Sequence, residues 1–337
     1  MSSESYKKAL TLLKIIIQAM KTKNQIHTPQ KLIILILCGI LFSVFACKEA
    51  PQRANTENIK RKWLDVPYAK KSQFQKLDIY LPDTGNGPFP VIIAIHGGAF
   101  MTGDKTDLEI TPMLQGLKRG YAVVSINYRL SAEVQFPKQI HDVKAAVRWI
   151  RANAMYHNLD PHKIAAWGSS AGGYLSTMLG TTGYDKEMED LTLGNLVESS
   201  NVQAVVDWFG PTDFLQMDAQ LKESKVKNPI LHSVPESPES KFIGKNISIA
   251  TDLVNQSNPE NYISKFDPPF FIQHGKLDNL VPYQQSNNLA NKLELVLGKE
   301  NVTFELIESA GHGGSQFNSP QNLNKVFEFL DRHLKQP

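Results

Sequence analysis

Ser170, in Gly168-Ser169-Ser170-Ala171-Gly172, is a serine surrounded by residues too small to obstruct it. Upstream, Lys163-Ile164-Ala165-Ala166-Trp167 reads as a short buried strand, and downstream, Tyr174 to Leu179 reads as a helix. Between a strand and a helix, the G-x-S-x-G pattern is a nucleophile elbow. The turn is so tight that only small residues avoid clashing, which accounts for Gly168 and Gly172. Ala171 and Gly173 crowd the same space. The hydroxyl is lifted clear of the sheet at the N-terminus of a helix whose dipole favours developing negative charge. Gly and Ser also crowd ordinary loops, so the motif gains its weight from partners elsewhere in the chain.

Three segments supply them. Val91-Ile92-Ile93-Ala94-Ile95 is an apolar β-branched run that reads as a central strand, and His96-Gly97-Gly98-Ala99-Phe100 follows it. Small residues after such a strand can aim backbone N–H groups at a nascent oxyanion, and this role falls to the amides of Gly98, Ala99 and Ala171. Pro269 to Gly275 is a strand running into a turn, with Asp278 just beyond it. Val302 to Ile307 is another strand, followed by Ala310-Gly311-His312-Gly313-Gly314. Ser170, Asp278 and His312 each follow the C-terminal end of a strand, where open α/β sheets place their sites. A serine, an acid and an imidazole so placed point to nucleophilic acyl transfer.

Other residues compete for these roles. Of nine histidines, His141 and His157 fall on a long helical stretch, His162 in a loop, His232 in a variable middle region and His333 on the last helix. His96 belongs to the glycine turn, and His274 precedes the acid turn. Only His312 combines small neighbours with a post-strand position. Asp278 competes as the acid with Asp207 and Asp213, which flank Phe209-Gly210-Pro211. Ser169 is the rival nucleophile, but as the x of the motif it should point away.

In this order the segments resemble an α/β-hydrolase of the esterase branch related to hormone-sensitive lipase, of the bifunctional feruloyl/acetyl esterase type. The resemblance runs from about Trp63 to the C-terminus. It includes Leu77-Asp78-Ile79-Tyr80-Leu81-Pro82, the H-G-G segment, Asn127-Tyr128-Arg129-Leu130, Phe136-Pro137, Asp142 to Trp149 and Asp160-Pro161. The elbow, Gly210-Pro211-Thr212-Asp213, Pro268-Pro269-Phe270, His274-Gly275 with Asp278, and Val281-Pro282 complete it. The Ser170, Asp278, His312 order is that of α/β-hydrolases. The resemblance implies ester hydrolysis through an acyl-Ser170 intermediate, on acetyl or feruloyl groups of carbohydrate. Two positions depart from the pattern. Ala99 replaces the third glycine of the H-G-G-G found in the lipase branch, and Ser169 stands where many relatives carry Asp or Glu.

At 337 residues and 42% hydrophobic content the chain can bury one large core. Strand-like runs alternate with helical ones, which indicates a mainly parallel sheet with helices on both faces. The stretch from Thr181 to Tyr262 interrupts this alternation. Its part from about 214 to 262 reads as a small cap insertion whose polarity suggests an open, wet site. Phe100, Tyr128, Trp208 and Tyr283 are candidate pocket aromatics. No repeat, P-loop or zinc-ligand spacing is present, and the acyl-transfer chemistry requires no metal or organic cofactor. The sequence leaves open a general short-chain carboxylesterase. From a different class, it leaves open a catalytically silent binding module on the same fold, which would have little reason to keep nucleophile, base, acid and turn together.

The N-terminal region carries a separate signal. Leu32 to Ala46 is an apolar run of fifteen residues behind Lys21, Lys23 and Lys31. That is short for a membrane span, which needs about 20 residues. A basic flank, a short apolar core and a small residue at the break indicate a secretory leader over 1–46, with Met20 a better start than Met1. Cys47 at the break resembles the lipidated first residue of a bacterial lipoprotein. That implies a lipid anchor in the cell envelope, at the outer membrane, with 47–62 as a polar tether before a catalytic domain over 63–337. The leader holds six Lys and one Glu, and removing that +5 from the chain's +3 leaves −2. No case for nucleic-acid binding survives that balance. Both cysteines, Cys38 and Cys47, lie at or before the break, so the catalytic domain has no disulfide.

Overall fold

The computed structural model describes residues 52–335; the leader and Cys47 lie outside them. The compact unit that carries the site begins at Arg53. Its centre is an eight-stranded sheet in the order β1-β2-β4-β3-β5-β6-β7-β8. The strands are β1 (Lys62–Pro67), β2 (Lys76–Tyr80), β3 (Phe89–Ile95), β4 (Ala122–Ile126), β5 (Leu159–Ser169), β6 (Ala204–Trp208), β7 (Phe270–Gly275) and β8 (Val302–Ile307). β1 and β2 pair antiparallel and β2 joins β4 antiparallel, whereas every pair from β4 to β8 is parallel. This is the mainly parallel α/β-hydrolase architecture expected from the sequence.

Strand alternation divides the core into two layers. Val91, Ile93 and Ile95 of β3 enter one cluster with Val124, Ala166, Val205 and Ile272. Ile92 and Ala94 enter the other with Val123, Ala165, Trp167, Val206 and Phe271. Both faces of β3 are buried, which is why it reads as an uninterrupted apolar run. The helices are α1 (Thr111–Leu114), α2 (Lys138–Ala152), α3 (Ala171–Thr181), α4 (Met217–Ser224), α5 (Pro238–Ile243), α6 (Thr251–Ser257), α7 (Gln284–Leu297) and α8 (Pro320–Leu334). α2 buries Ile140, Val143, Val147 and Ile150 at helical spacing on the first layer. α8 starts on Pro320 with the Ser319 side chain accepting from the Asn322 amide, and buries Val326, Phe327 and Leu330 on the second.

Three expectations are corrected. The polar segment before β1 is docked from Arg53 onward, not a free tether: the Ala54 amide donates to the Thr106 carbonyl at 2.8 Å, and Arg53 pairs with Asp104 at 2.6 Å. Its polarity reflects hydrogen bonds to the domain. His157 lies beyond α2, which ends at Ala152, and packs against Trp63 and Trp149. His162 lies in β5, in the irregular stretch between Leu159 and Ile164, rather than in a loop.

The segment between β6 and β7 forms the short helices α4 to α6. Five of its large apolar side chains point inward, Phe214, Met217, Phe242, Ile247 and Val254, and are buried in the first layer, while Ile230, Leu231, Ile249 and Phe266 stay exposed. Among the described residues no helix is long and apolar enough to cross a membrane.

Candidate active site

The elbow is built by close backbone approach. A Cβ on Gly172 would lie 2.0 Å from the Ile95 carbonyl oxygen, and one on Gly168 would lie 2.2 Å from the Gly172 carbonyl oxygen. Real Cβ atoms do not come so near, so α3 can sit against the end of β3 only with glycine at both places. Ser170, between β5 and α3, takes φ 54° and ψ −122°. Such a conformation costs a non-glycine residue about 1–3 kcal/mol and persists only where the surroundings fix it. The Ser170 amide donates to the Trp208 carbonyl at 2.8 Å, and its carbonyl accepts from the Tyr174 amide at 3.0 Å.

His312 and Asp278 reach the serine from two neighbouring strand ends. The Lys276 amide donates to the Ile307 carbonyl at 3.0 Å and the Leu277 amide to the Ala310 carbonyl at 2.9 Å, so the turns after β7 and β8 hold each other. His312 Nε2 lies 2.9 Å from Ser170 Oγ, and His312 Nδ1 lies 2.7 Å from Asp278 Oδ2. With Nδ1–H donated to the carboxylate, Nε2 is free to accept the serine proton. The other Asp278 oxygen accepts the Leu280 and Val281 amides at 2.8 and 3.0 Å. Burial pushes the Asp278 carboxyl up, but hydrogen bonds from His274 and His312 outweigh it and hold the group below the usual carboxylate range. Asp278 therefore stays ionised beside the imidazole.

The rival acids lie elsewhere. Asp213 caps the short turn Phe214–Gln216, accepting the Leu215 amide at 3.1 Å. Asp207 is fully buried beneath the elbow, accepting from the Gly210 amide at 2.9 Å and Thr177 Oγ1 at 3.0 Å. The rival nucleophile Ser169 is buried and turned away, its hydroxyl donated to Glu109 Oε1. Among the other histidines, His274 and His232 grip the acid turn. His274 Nε2 lies 2.9 Å from the Val281 carbonyl and 3.2 Å from Asp278, while His232 Nε2 lies 2.8 Å from the Leu280 carbonyl.

The turn after β3 is left-handed over three residues, with φ of 96° at Gly98, 56° at Ala99 and 61° at Phe100. Among the described residues the amides of Gly98, Ala99 and Ala171 have no protein acceptor, and Gly98, Ala99, Ser170 and His312 line one cavity of about 1010 Å³. Its walls come from residues 101–119 and 313–327 together with Trp208 and Phe209. This corrects the expectation for the insertion, since no residue of 214–262 lines the cavity. Of the expected pocket aromatics only Trp208 contributes; Phe100 and Tyr128 are core residues, and Tyr283 lies elsewhere. The sequence reading missed Phe209, whose ring meets His312 at 4.7 Å edge-on, and Glu109. Among the described residues no cluster of His, Cys, Asp or Glu could hold a metal ion.

Comparison with known proteins finds a matching family model and relatives described as esterases. Residues 77–293 match the BD-FAE family, a span that takes in Ser170 and Asp278. The chain is 33% identical over 246 residues to the probable carboxylic ester hydrolase LipM of Mycobacterium tuberculosis, covering 72% of this chain and 54% of that one. It thus spans about half the length of the curated relatives it matches. It resembles the solved structure of a truncated carbohydrate esterase from gut microbiota at 34% identity and TM-score 0.75, covering 85% of this chain and all of that one. It also resembles a bifunctional GH43-CE protein of Bacteroides eggerthii at 35% identity and TM-score 0.73, covering 81% and 38%.

Asp207 generates a prediction. Burial, against the hydrogen bonds from Gly210 and Thr177, pushes its carboxyl up to about 6. A carboxyl raised in the folded state holds a proton that the unfolded chain has released. The contribution of Asp207 to stability is therefore largest below the ordinary value of about 3.9 and falls as pH rises to about 6, by up to about 3 kcal/mol. Asp207→Asn keeps an acceptor for Gly210 and removes that loss. Urea unfolding at pH 4.5 and 7.5 should show the variant gaining on the wild type at the higher pH; an equal difference at both would refute this account.

Proposed function

The chain belongs to the BD-FAE family, and we propose that it is a serine esterase that removes short acyl groups, acetyl or feruloyl, from carbohydrate esters. One observation carries this reading: the unbroken hydrogen-bond line from Asp278 through His312 to Ser170, at 2.7 and 2.9 Å. In the proposed reaction His312 Nε2 takes the Ser170 proton as Oγ attacks the ester carbonyl. Asp278 holds the imidazole in the required tautomer and stabilises the imidazolium. The oxyanion forms against the amides of Gly98, Ala99 and Ala171. Collapse expels the alcohol, protonated by His312, and leaves acyl-Ser170. Water deprotonated by the same imidazole then attacks the acyl carbonyl, and the carboxylic acid departs as Ser170 recovers its proton.

The carbohydrate part draws support from the two carbohydrate-esterase neighbours. A second reading, a general short-chain carboxylesterase, is favoured by the apolar share of the cavity wall, where Leu108, Phe209, Phe317 and Leu323 contribute. Placement in the cell envelope through lipidated Cys47 remains part of the proposal.

Four outcomes are expected. Ser170→Ala should abolish turnover in a folded protein, and Asp278→Asn should lower kcat by about 10⁴-fold while Asp213→Asn has a small effect. Near-wild-type hydrolysis by folded Ser170→Ala protein would refute the nucleophile. Acetate or ferulate release from substituted xylo-oligosaccharides should exceed long-chain triacylglycerol hydrolysis. If kcat/KM were far below that for a simple aliphatic ester, the general carboxylesterase would replace this reading. Cys47→Ala should block lipidation, leaving the protein unprocessed or moving it to the soluble fraction on cell fractionation, and a freely soluble wild type would remove the anchor.

A further inference from the structure

We propose that Glu109 is a positioning residue that locks the left-handed turn after β3 to the nucleophile elbow. This inference rests on the reading of Ser170 as the nucleophile. Ala99 and Phe100 hold consecutive left-handed backbone, a conformation that non-glycine residues avoid and that needs external restraint. On one side the restraints are visible. The Gly98 carbonyl accepts the Met101 and Thr102 amides at 3.0 Å each, Tyr128 Oη donates to the Gly97 carbonyl at 3.2 Å, and the Phe100 ring stacks on Phe242 at 4.1 Å.

On the other side stands one carboxylate. Glu109 Oε2 accepts the Gly97 amide at 2.9 Å, and Oε1 accepts the hydroxyl of Ser169, the residue before the nucleophile. Its two oxygens thus span the segment presenting the Gly98 and Ala99 amides and the segment presenting Ser170 and the Ala171 amide. The space is made for it, since a Cβ on Gly97 would come within 2.8 Å of Oε1. The loop behind Glu109 is itself anchored. Lys105 Nζ pairs with buried Asp78 at 2.8 Å, the Lys105 amide donates to Asn127 Oδ1 at 2.6 Å, and Asn127 Nδ2 donates to Asp104 at 3.0 Å.

Removing the carboxylate frees a backbone amide on the turn after β3 and a buried hydroxyl on the elbow. Misplacement of about 1 Å at such a site costs about 10²-fold in rate. Glutamine differs in kind: its carbonyl can accept from Gly97 while its amide donates to Ser169 Oγ, so the bridge survives without its charge.

The test compares wild type, Ser170→Ala, Glu109→Ala and Glu109→Gln in hydrolysis of p-nitrophenyl acetate and in the rate of covalent labelling by a fluorophosphonate. Glu109→Ala should lose about 10- to 100-fold in kcat with KM within about threefold, and label correspondingly slowly, while Glu109→Gln keeps near-wild-type values. Wild-type kcat and labelling in Glu109→Ala would overturn the proposal. So would a Glu109→Gln as impaired as Glu109→Ala, which would make the charge the active feature. If Glu109→Ala does not fold, Ser169→Ala cuts one leg of the bridge and should lower kcat with KM held, and unchanged kcat there overturns the proposal. Retained hydrolysis in Ser170→Ala would instead sink the nucleophile assignment, and a wild type that neither turns over nor labels would sink both.

Discussion

The contact on which the site depends is the approach of the Gly172 backbone to the Ile95 carbonyl, closer than any side-chain-bearing residue allows. It brings the start of α3 against the end of β3, and so sets the nucleophile's helix beside the glycine turn. The Ser170, Gly98, Ala99 and Ala171 backbones are neighbours because two glycines let two main chains nearly touch. The backbone also pays in local strain, since Ser170, Ala99 and Phe100 all sit at positive φ. Such residues stay put only when packing over-determines them, and the buried aromatic set of Phe100, Tyr174, Phe214 and Phe242 provides that packing.

Around this contact several buried charges are paired and serve as struts. Asp142 accepts Arg129 through two side-chain bonds at 2.7 and 2.8 Å and also accepts the Arg129 amide and Gln75. Lys105 links Asp78 of β2 to the loop that carries Glu109. Truncating one partner of such a pair would leave the other buried and unpaired, which costs several kcal/mol. Asn127, Arg129 and Asp142, quoted above as marks of family resemblance, have structural work here: they fix the loops around the site without lining the cavity. The acid turn is held in a similar way. Leu280 gives its amide to Asp278 and its carbonyl to His232, whose charged form is favoured by Glu239 against the opposing effect of burial.

The sheet and the three post-strand residues were legible because their signals are local. β3, the second half of β5 and the start of β7 are short apolar runs, β8 alternates apolar with polar residues, and the chemistry-bearing residue follows each strand within a few positions. Glu109 was not legible. It contacts Gly97 across 12 positions and Ser169 across 60, in a polar stretch with no periodic or spacing signal. The segment 53–61 was misread for a related reason: Arg53 and Arg61 meet the domain through hydrogen bonds, and the apolar contacts of Ala54 and Ile59 are too sparse to leave a periodic pattern. The end of α2 was misread because His157 continues a helix-compatible composition past the turn that begins at Asn153.

The insertion shows why composition misleads about which segment shapes a cavity. Its polar average hides a few large apolar residues, and those residues decide how it packs. Phe214 and Phe242 must cover Phe100, or the left-handed turn would expose its ring to water, so the helices fold down onto the first core layer. That leaves the cavity to be walled by 101–119 on one side and 313–327 on the other. Both segments are tied to the reacting groups: one bears Glu109, and the other begins beside His312. Leu108 and Phe317, which line this cavity, therefore stand on the same segments that position the nucleophile and the base. Substitutions at Leu108 or Phe317 should accordingly alter kcat together with KM, because the segment that grips the substrate also aims the catalytic groups.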